Sequence, residues 1–457
     1  MSSEENKKER MVKIIAGIAA IGGILFGFDT GVISGALLFI KKEWSLVPFS
    51  QELIVSAVLL GAVFGSALSG KITDHFGRRN VIITTGIVFI VGSIATALSH
   101  SIGTLIAGRF IIGIAIGIAS FCVPLYISEI APAKVRGALV SLNQLAITIG
   151  IVVSYLVDES FSGVDHGWRY MFLTGAVPAV ILASGMMFLP KTPRWLMFHG
   201  YEDEARKVFE KISTGESLDN NIAQMKKSLS EEKGGGWSEL TVPWLRMPLL
   251  IGIGIMFFQQ ITGINTVIYY APTIFQLAGF KSAASAIGAT VGIGVVNVLM
   301  TVVAIRIIDR VGRKPLLYFG LAGMAFSLGL LGLAFKMQAS GAFLKTVSVG
   351  SLILYIASFA ISLGPIAWLI ISEIYPLRVR GVAMSIATVF NWGVNCLVAL
   401  TFLTIIHKLG AAATFWLYGF LSLFAWVFCY LYVPETKGRT LEEIEQHWIN
   451  GKSPRAL

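Results

Sequence analysis

Two charged residues stand deep inside otherwise apolar stretches of this chain. Asp29 is the one acid within Ile14–Ile40, and Arg109 is the one charge within Ile102–Ile127. A lone carboxylate at that depth in a bilayer costs roughly 2.5–3.5 kcal/mol on insertion scales and by default marks an ion or proton pathway. The alternative is a static ion pair that packs helices. Counted along helices rising 1.5 Å per residue, Asp29 lies about 16 Å and Arg109 about 10 Å from the same edge of the apolar layer. An arginine side chain spans the difference, so a couple between them is open, and protonating Asp29 would release Arg109. That behaviour is a proton switch. None of the six histidines, His75, His100, His166, His199, His407 and His447, lies deep in an apolar run, which leaves a proton role to the carboxylate.

A second group is uncharged. Gln144, Gln259, Gln260, Asn391 and Asn395 all fall roughly 12–23 Å from the opposite edge, near the middle of the layer. An amide both donates and accepts, which suits the mixed hydroxyls of a sugar. Amides also serve as interhelical glue worth about 0.6 kcal/mol each. Five gathered at one depth, from both ends of the chain, favour a polyhydroxyl ligand. On a straight helix Gln260 and Asn265 would point about 140° apart, so both meet one cavity only if the helix unwinds between them, and Gly263 is where it would. Gly364-Pro365 predicts a second break just before Trp368. Phe26, Trp368 and Trp392 have the flat faces that stack on a pyranose ring, although any one of them equally suits packing.

The elements that must carry these groups are membrane helices. Of 457 residues, 55% are AVILMFWYC and only 14% are charged, against roughly 25% in ordinary soluble domains; the mean hydropathy is +0.75. A soluble fold is excluded. The net charge of +10 lies in short gaps between apolar runs rather than in one patch, which reports topology and not a nucleic-acid partner. Twelve spans are expected, near Ile14–Ile40, Leu53–Ser69, Val81–Leu98, Ile102–Ile127, Leu139–Val157 and Met171–Leu189, then Leu249–Ala271, Ala283–Ile308, Leu316–Phe335, Val347–Ile371, Val382–Ile406 and Ala411–Val433. Lys7, Lys8, Arg10, Lys13, Lys71, Arg78, Arg79, Lys134, Arg136, Arg306, Arg310, Arg313, Lys314, Arg378 and Arg380 occupy alternate gaps. The other gaps hold Asp158, Glu159, Asp165 and Arg169, or Lys281. The positive-inside rule then puts both termini in the cytoplasm.

The first apolar run is too long for a signal-peptide core of roughly 7–15 residues and is expected to stay on the chain. Cys122, Cys396 and Cys429 read as buried small hydrophobes with no partner at metal or redox spacing. The parts follow as a six-helix half over 1–189, a linker over 190–247, a second half over 248–433 and a tail over 434–457. In the linker, Tyr201–Ser213 and Asn221–Lys233 have amphipathic helical spacing and precede Gly234-Gly235-Gly236, as befits either a tether or a gate beneath the bundle.

The two halves repeat each other. Asp74-His75-Phe76-Gly77-Arg78-Arg79 returns 235 residues on as Asp309-Arg310-Val311-Gly312-Arg313-Lys314, and Ser128-Glu129-Ile130-Ala131-Pro132 with Arg136-Gly137 returns 244 residues on as Ser372-Glu373-Ile374-Tyr375-Pro376 with Arg380-Gly381. Parallel halves about an axis along the membrane normal, with a site between them near the midplane, are a secondary-transporter plan. Asp74, Glu129, Asp309 and Glu373 can face Arg78, Arg79, Arg136, Arg313 and Arg380 as a latch at the cytoplasmic end, worth about 0–1 kcal/mol per exposed pair. Simple topology-setting charge is the other reading, and the doubling favours the latch.

These repeats, with Gly108-Arg109-Phe110, Pro190-Lys191-Thr192-Pro193-Arg194-Trp195-Leu196, Gln259-Gln260-Ile261-Thr262-Gly263-Ile264-Asn265 and Pro434-Glu435-Thr436-Lys437-Gly438, resemble the sugar porters of the major facilitator superfamily along the whole chain. Within them the chain is most similar to bacterial galactose and hexose–proton symporters. The resemblance implies an all-α membrane protein, twelve transmembrane helices in two six-helix repeats. It implies sugar contacts at Gln144, Gln259, Gln260, Asn265, Asn297, Trp368, Asn391 and Asn395, with Trp392 also at a family position, an outer gate at Tyr269 and Tyr270, and proton coupling at Asp29 with Arg109. Proton-coupled members carry an aspartate at the place of Asp29, and passive facilitators commonly do not. Some facilitators have an acid before the Gly-Pro of span ten; here Ala360-Ile361-Ser362 stands there, which thins the inner charge network.

The expected function is import of a monosaccharide, a hexose such as galactose or glucose, with a proton by alternating access. The alternatives are a passive sugar facilitator, a pentose (arabinose or xylose)–proton symporter, and a non-transporting sugar sensor. The expected partners are the sugar, the proton and the lipid bilayer of a bacterial inner membrane, for a monomer that binds no nucleic acid. No cofactor or metal is expected beyond the coupling proton. No HExxH, no GxxxxGK[ST] loop and no nucleophile–base pair suggests an enzyme.

Overall fold

The structure, a computed structural model, describes residues 3–132, 135–212, 222–223, 225–226, 240–337, 341–376, 379–439 and 441–457. Lys134, Arg378, the glycine run 234–236 and most of the expected helix Asn221–Lys233 lie outside these residues. The first half contains α1 (Ser3–Glu43), α2 (Pro48–Phe76), α3 (Arg78–Ala97), α4 (Ile102–Ile130), α5 (Arg136–Phe161), α6 (Gly167–Thr174) and α7 (Ala176–Met187). Two short helices follow, α8 (Pro193–Phe198) and α9 (Glu202–Ile212), the latter the expected amphipathic helix with Ala205, Val208, Phe209 and Ile212 buried. Outside the bundle, Glu202 is held below the usual carboxylate range by Lys226, 2.9 Å away, and by Arg206.

The second half contains α10 (Arg246–Ile261), α11 (Ile264–Leu277), α12 (Ala283–Val311), α13 (Arg313–Lys336), α14 (Ala342–Ile361), α15 (Leu363–Ile374) and α16 (Arg380–Tyr432), before α17 (Leu441–Ile449) in the tail. Among the described residues, eleven helical stretches are long and apolar enough to cross a membrane. The last of these, α16, has 53 residues and turns at Gly410 (φ 82°, ψ 159°). At about 80 Å of helix it supplies two crossings, for twelve in all.

Inside lipid there is no hydrophobic force between helices, so close backbone approach must hold them. Small residues provide it. A Cβ on Gly61 or Gly65 of α2 would run into α4, one on Gly113 or Gly117 of α4 would run into α2, and Gly27 and Gly31 of α1 meet Ile147 and Ser154 of α5 in the same way. Asp29 lies between Gly27 and Gly31, and Arg109 one turn before Gly113. These two close seams therefore flank the buried Asp29–Arg109 pair.

Two spans are discontinuous. The seventh parts at Thr262-Gly263, where Gly263 has φ +91°, a conformation cheap only for glycine. The tenth parts at Ser362 (φ −124°, ψ −103°), two residues before the expected Gly364-Pro365. Proline clashes with the carbonyl four residues back and offers it no N–H; that carbonyl belongs to Ile361, where α14 ends.

The halves touch from mid-depth to the end of the bundle away from the termini: the rings of Phe26 and Trp392 lie 5.2 Å apart in the middle, and nearer the far end the Tyr155 hydroxyl donates to the Ile268 carbonyl at 3.1 Å. At the terminal end, Gly137 of α5 and Gly381 of α16 have open space beside them. One gap residue is relocated: Asp158, expected beyond span five, lies fully buried within α5, its Oδ2 accepting the Gly35 N–H at 3.0 Å. Cys122, Cys396 and Cys429 are buried free thiols.

Candidate functional site

Asp29 on α1 and Arg109 on α4 meet at 3.4 Å, and both are almost wholly buried. Arg109 Nε also donates to the Ile54 carbonyl of α2 at 2.8 Å, and the guanidinium lies 5.5 Å from the Phe172 ring centre of α6. One side chain thus ties four helices of the first half. Removing the charge on Asp29 would leave Arg109 with a carbonyl in place of a counter-ion. Such a pair is costly to break from one side, because it leaves a buried charge uncompensated. The pair borders a small cavity shared with Phe26, Thr30, Tyr269 and Trp392, so the charge of one half faces aromatic rings of the other.

The second half holds a ring of amides. Gln260 Nε2 donates to Asn391 Oδ1 at 3.1 Å, Asn391 Nδ2 to Gln259 Oε1 at 2.7 Å, and Asn265 Nδ2 to Gln260 Oε1 at 2.7 Å. The last bond is the one a straight helix forbids, and the left-handed Gly263 allows it. Gln259 Nε2 reaches the Leu363 carbonyl at 3.0 Å and the Gly364 carbonyl at 3.3 Å, so one broken span is tied to the other. Asn395 donates to the Tyr269 hydroxyl at 3.2 Å while its Oδ1 and the Trp392 Nε1 are buried without a partner. Gln144 and Trp368, both half-buried, and the buried Asn297 make no side-chain hydrogen bond among the described residues. Their polar atoms are uncommitted.

Tyr269 and Tyr270 play different parts. Tyr270 donates to the Ala399 carbonyl at 3.1 Å and stacks on Phe402, which locks α11 to α16. Tyr269 lines the cavity beside Asp29 and also bonds Asn395, so it stands between the ion pair and the amides.

At the terminal face the repeated signatures form two similar clusters. Arg78 pairs with Asp74 at 3.0 Å and Glu129 at 3.1 Å, and Arg194 lies 3.8 Å from Glu129. Arg313 pairs with Asp309 at 3.1 Å and Glu373 at 2.9 Å, and Thr436 donates to Glu373 at 2.5 Å. Each of these pairs joins residues on one side of the junction. Arg79 and Arg136 differ from the expected latch. Arg79 donates to the carbonyls of Met186 and Met187, because its face of α3 packs on the end of α7 rather than on an acid. Arg136 is exposed in the first turn of α5, with no ion pair among the described residues. Arg380 donates to the Tyr375 carbonyl at 3.1 and 3.0 Å, closing the turn before its own helix.

Several partners escaped sequence reasoning. Glu435 accepts the backbone N–H groups of Arg313 and Lys314 at 3.1 and 2.9 Å, over Gly312. At the matching turn the Trp195 ring covers Gly77, and its Nε1 donates to the Asp74 carbonyl at 2.9 Å. The signal was available: Pro190-Lys191-Thr192 and Pro434-Glu435-Thr436 stand 244 residues apart, the same interval as the second signature.

The family described as "Sugar (and other) transporter" matches residues 15–448. A D-xylose transporter of Levilactobacillus brevis is 42% identical over 431 residues, 93% of each chain. A galactose-proton symporter of Escherichia coli is 37% identical over 449 residues, 98% of this chain and 96% of that protein. Among solved structures, the inward-open xylose transporter of Escherichia coli superposes with a TM-score of 0.83 at 33% identity, covering 96% of this chain and 100% of that one.

Proposed function

The chain belongs to the sugar transporters of the major facilitator superfamily, and from that premise we propose that it imports one monosaccharide with one proton by alternating access. The observation that carries this reading is the shared cavity at the junction of the halves. A titratable pair, Asp29–Arg109, borders it from one side, and Tyr269, bonded to Asn395, borders it from the other. Proton and sugar chemistry can influence each other there without touching. The protein acts as a monomer in a bacterial inner membrane, with both termini in the cytoplasm.

The cycle begins outward-open with Asp29 protonated. Sugar then bonds to Gln144, Gln259, Gln260, Asn265, Asn297, Asn391 and Asn395, and stacks on Phe26, Trp368 or Trp392. Closure of the outer end, with Tyr269 and Tyr270, opens the inner side, where the Arg78–Glu129 and Arg313–Glu373 clusters brace the helix ends that must part. Loss of the proton inward lets Asp29 pair again with Arg109. A hexose is the substrate of choice, in line with the galactose-proton relative; the D-xylose relative favours a pentose as the second reading.

The test is uptake of labelled galactose, glucose, xylose and arabinose into liposomes, with and without an inward proton gradient. Concentrative uptake of one sugar that collapses in Asp29→Asn, while exchange survives, is the expected result. Equal downhill flux in both proteins means a passive facilitator, and binding without flux means a sensor.

A further inference from the structure

A buried carboxylate that the mechanism above does not use joins the two halves at the end away from the termini. Glu52, in the second turn of α2, is fully buried. Its Oε1 accepts the backbone N–H of Thr404 at 2.6 Å, and its Oε2 accepts the Thr404 hydroxyl at 2.7 Å. Thr404 belongs to α16, in the other half, shortly before the bend at Gly410. Both carboxylate oxygens are therefore spent on one residue across the junction. A charged acceptor makes stronger hydrogen bonds than a neutral one, and burial strengthens them further. Parting the halves here would remove both bonds in one movement.

We propose that Glu52 and Thr404 form the latch that holds the outer mouth shut whenever the crevice faces inward. They are positioning residues, which set the balance between the two open states without touching sugar. The latch also shares a turn of α2 with the ion pair: two residues beyond Glu52, the Ile54 carbonyl accepts from Arg109 at 2.8 Å. A change in the Asp29–Arg109 couple thus acts on the same backbone turn that carries the latch. The inference rests on the alternating-access reading above.

The experiment uses the full chain in liposomes with spin labels and pulsed EPR distances. Phe49→Cys with Lys408→Cys, both exposed positions, reports the outer end, and Gly137→Cys with Gly381→Cys reports the inner end. The three native cysteines are buried. Glu52→Gln removes the charge and one acceptor, and is expected to move the ratio of short to long outer distances by about tenfold toward long. Thr404→Val shifts it the same way by less, and Thr404→Ser, which keeps the hydroxyl, stays with the parent; this second pair decides the matter if Glu52→Gln does not fold. The sugar panel is added to every sample. Outer distances that sugar shifts in the parent but that neither Glu52→Gln nor Thr404→Val alters overturn the latch alone. A parent in which no sugar moves either distance overturns alternating access, and the latch with it.

Discussion

The two halves share an outer frame and differ inside. At the terminal face both carry an arginine held by two acids across the same glycine turn, Arg78 with Asp74 and Glu129, Arg313 with Asp309 and Glu373. In the interior the first half buries a charge pair, whereas the second buries a ring of amides. By the 244-residue interval Arg109 corresponds to Ile353, so the second copy has no cation at that place. Duplication thus gave one scaffold two interiors. The ion pair and the amides proposed to bind hydroxyls are kept apart by the junction and meet only through the rings and the cavity that span it. Putting both in one half would place a fixed charge among the amides proposed to bond a neutral ligand.

That division predicts which substitutions separate the two tasks. The largest effect belongs to Asp29→Asn. It removes the titrating group and leaves Arg109 buried without a counter-charge, an imbalance worth about 3–5 kcal/mol. Gradient-driven uptake should fall by roughly 100-fold or more while sugar exchange at equal pH persists, measured in the same liposomes. Loss of exchange as well would show that the charge pair also builds the sugar site. Next comes the amide ring: Asn391→Ala strands Gln259 and Gln260, at about 1–3 kcal/mol for a buried group left unpaired. KM should rise about tenfold with the proton dependence unchanged, as read from initial rates at several pH values. A changed pH profile would join what the comparison separates.

How much of this was readable beforehand depended on whether a residue's partner lay within reach of a local pattern. Hydropathy and basic gaps gave the twelve crossings, and depth counting brought Asp29 to Arg109 because two straight helices share an edge. The conflict between Gln260 and Asn265 pointed to the unwinding at Gly263, since the angular period of a helix is fixed. Glu52 and Asp158 were opaque for the opposite reason. Each sits at the margin of an apolar run, where a charge reads as a boundary, and only packing against the other helices shows that it is enclosed. Arg79 had an acid five residues before it in sequence, yet the carbonyls at the end of α7, more than a hundred residues away, won the guanidinium. The break in span ten came early because the clash of Pro365 acts one turn upstream of the proline itself.

Gly263→Ala probes the junction more gently. At φ +91° an alanine is strained, and its Cβ would press on the Tyr418 ring at 2.8 Å. The strain is about 1–2 kcal/mol, and it works against the turn that returns Asn265 to Gln260. A rise in KM of several-fold, smaller than for Asn391→Ala and again without a pH effect, is expected in the uptake assay.

The smallest effect tests whether the shared frame is equally stressed in both copies. Glu129 has 5% of its side chain exposed and Glu373 has 19%. A buried pair broken from one side costs more than one reached by water, which screens the charge left behind. Glu129→Gln should therefore lower the Tm of the purified protein by more than Glu373→Gln does, although the two acids occupy matching positions. The Arg313 cluster has a further brace in Glu435, whose bonds to the backbone of Arg313 and Lys314 hold the helix end when Glu373 is neutralised. Adding Glu435→Gln to Glu373→Gln should close the gap with Glu129→Gln. If the double variant melts no lower than Glu373→Gln alone, the tail is not what makes the second copy more tolerant, and its greater exposure to water is the remaining cause.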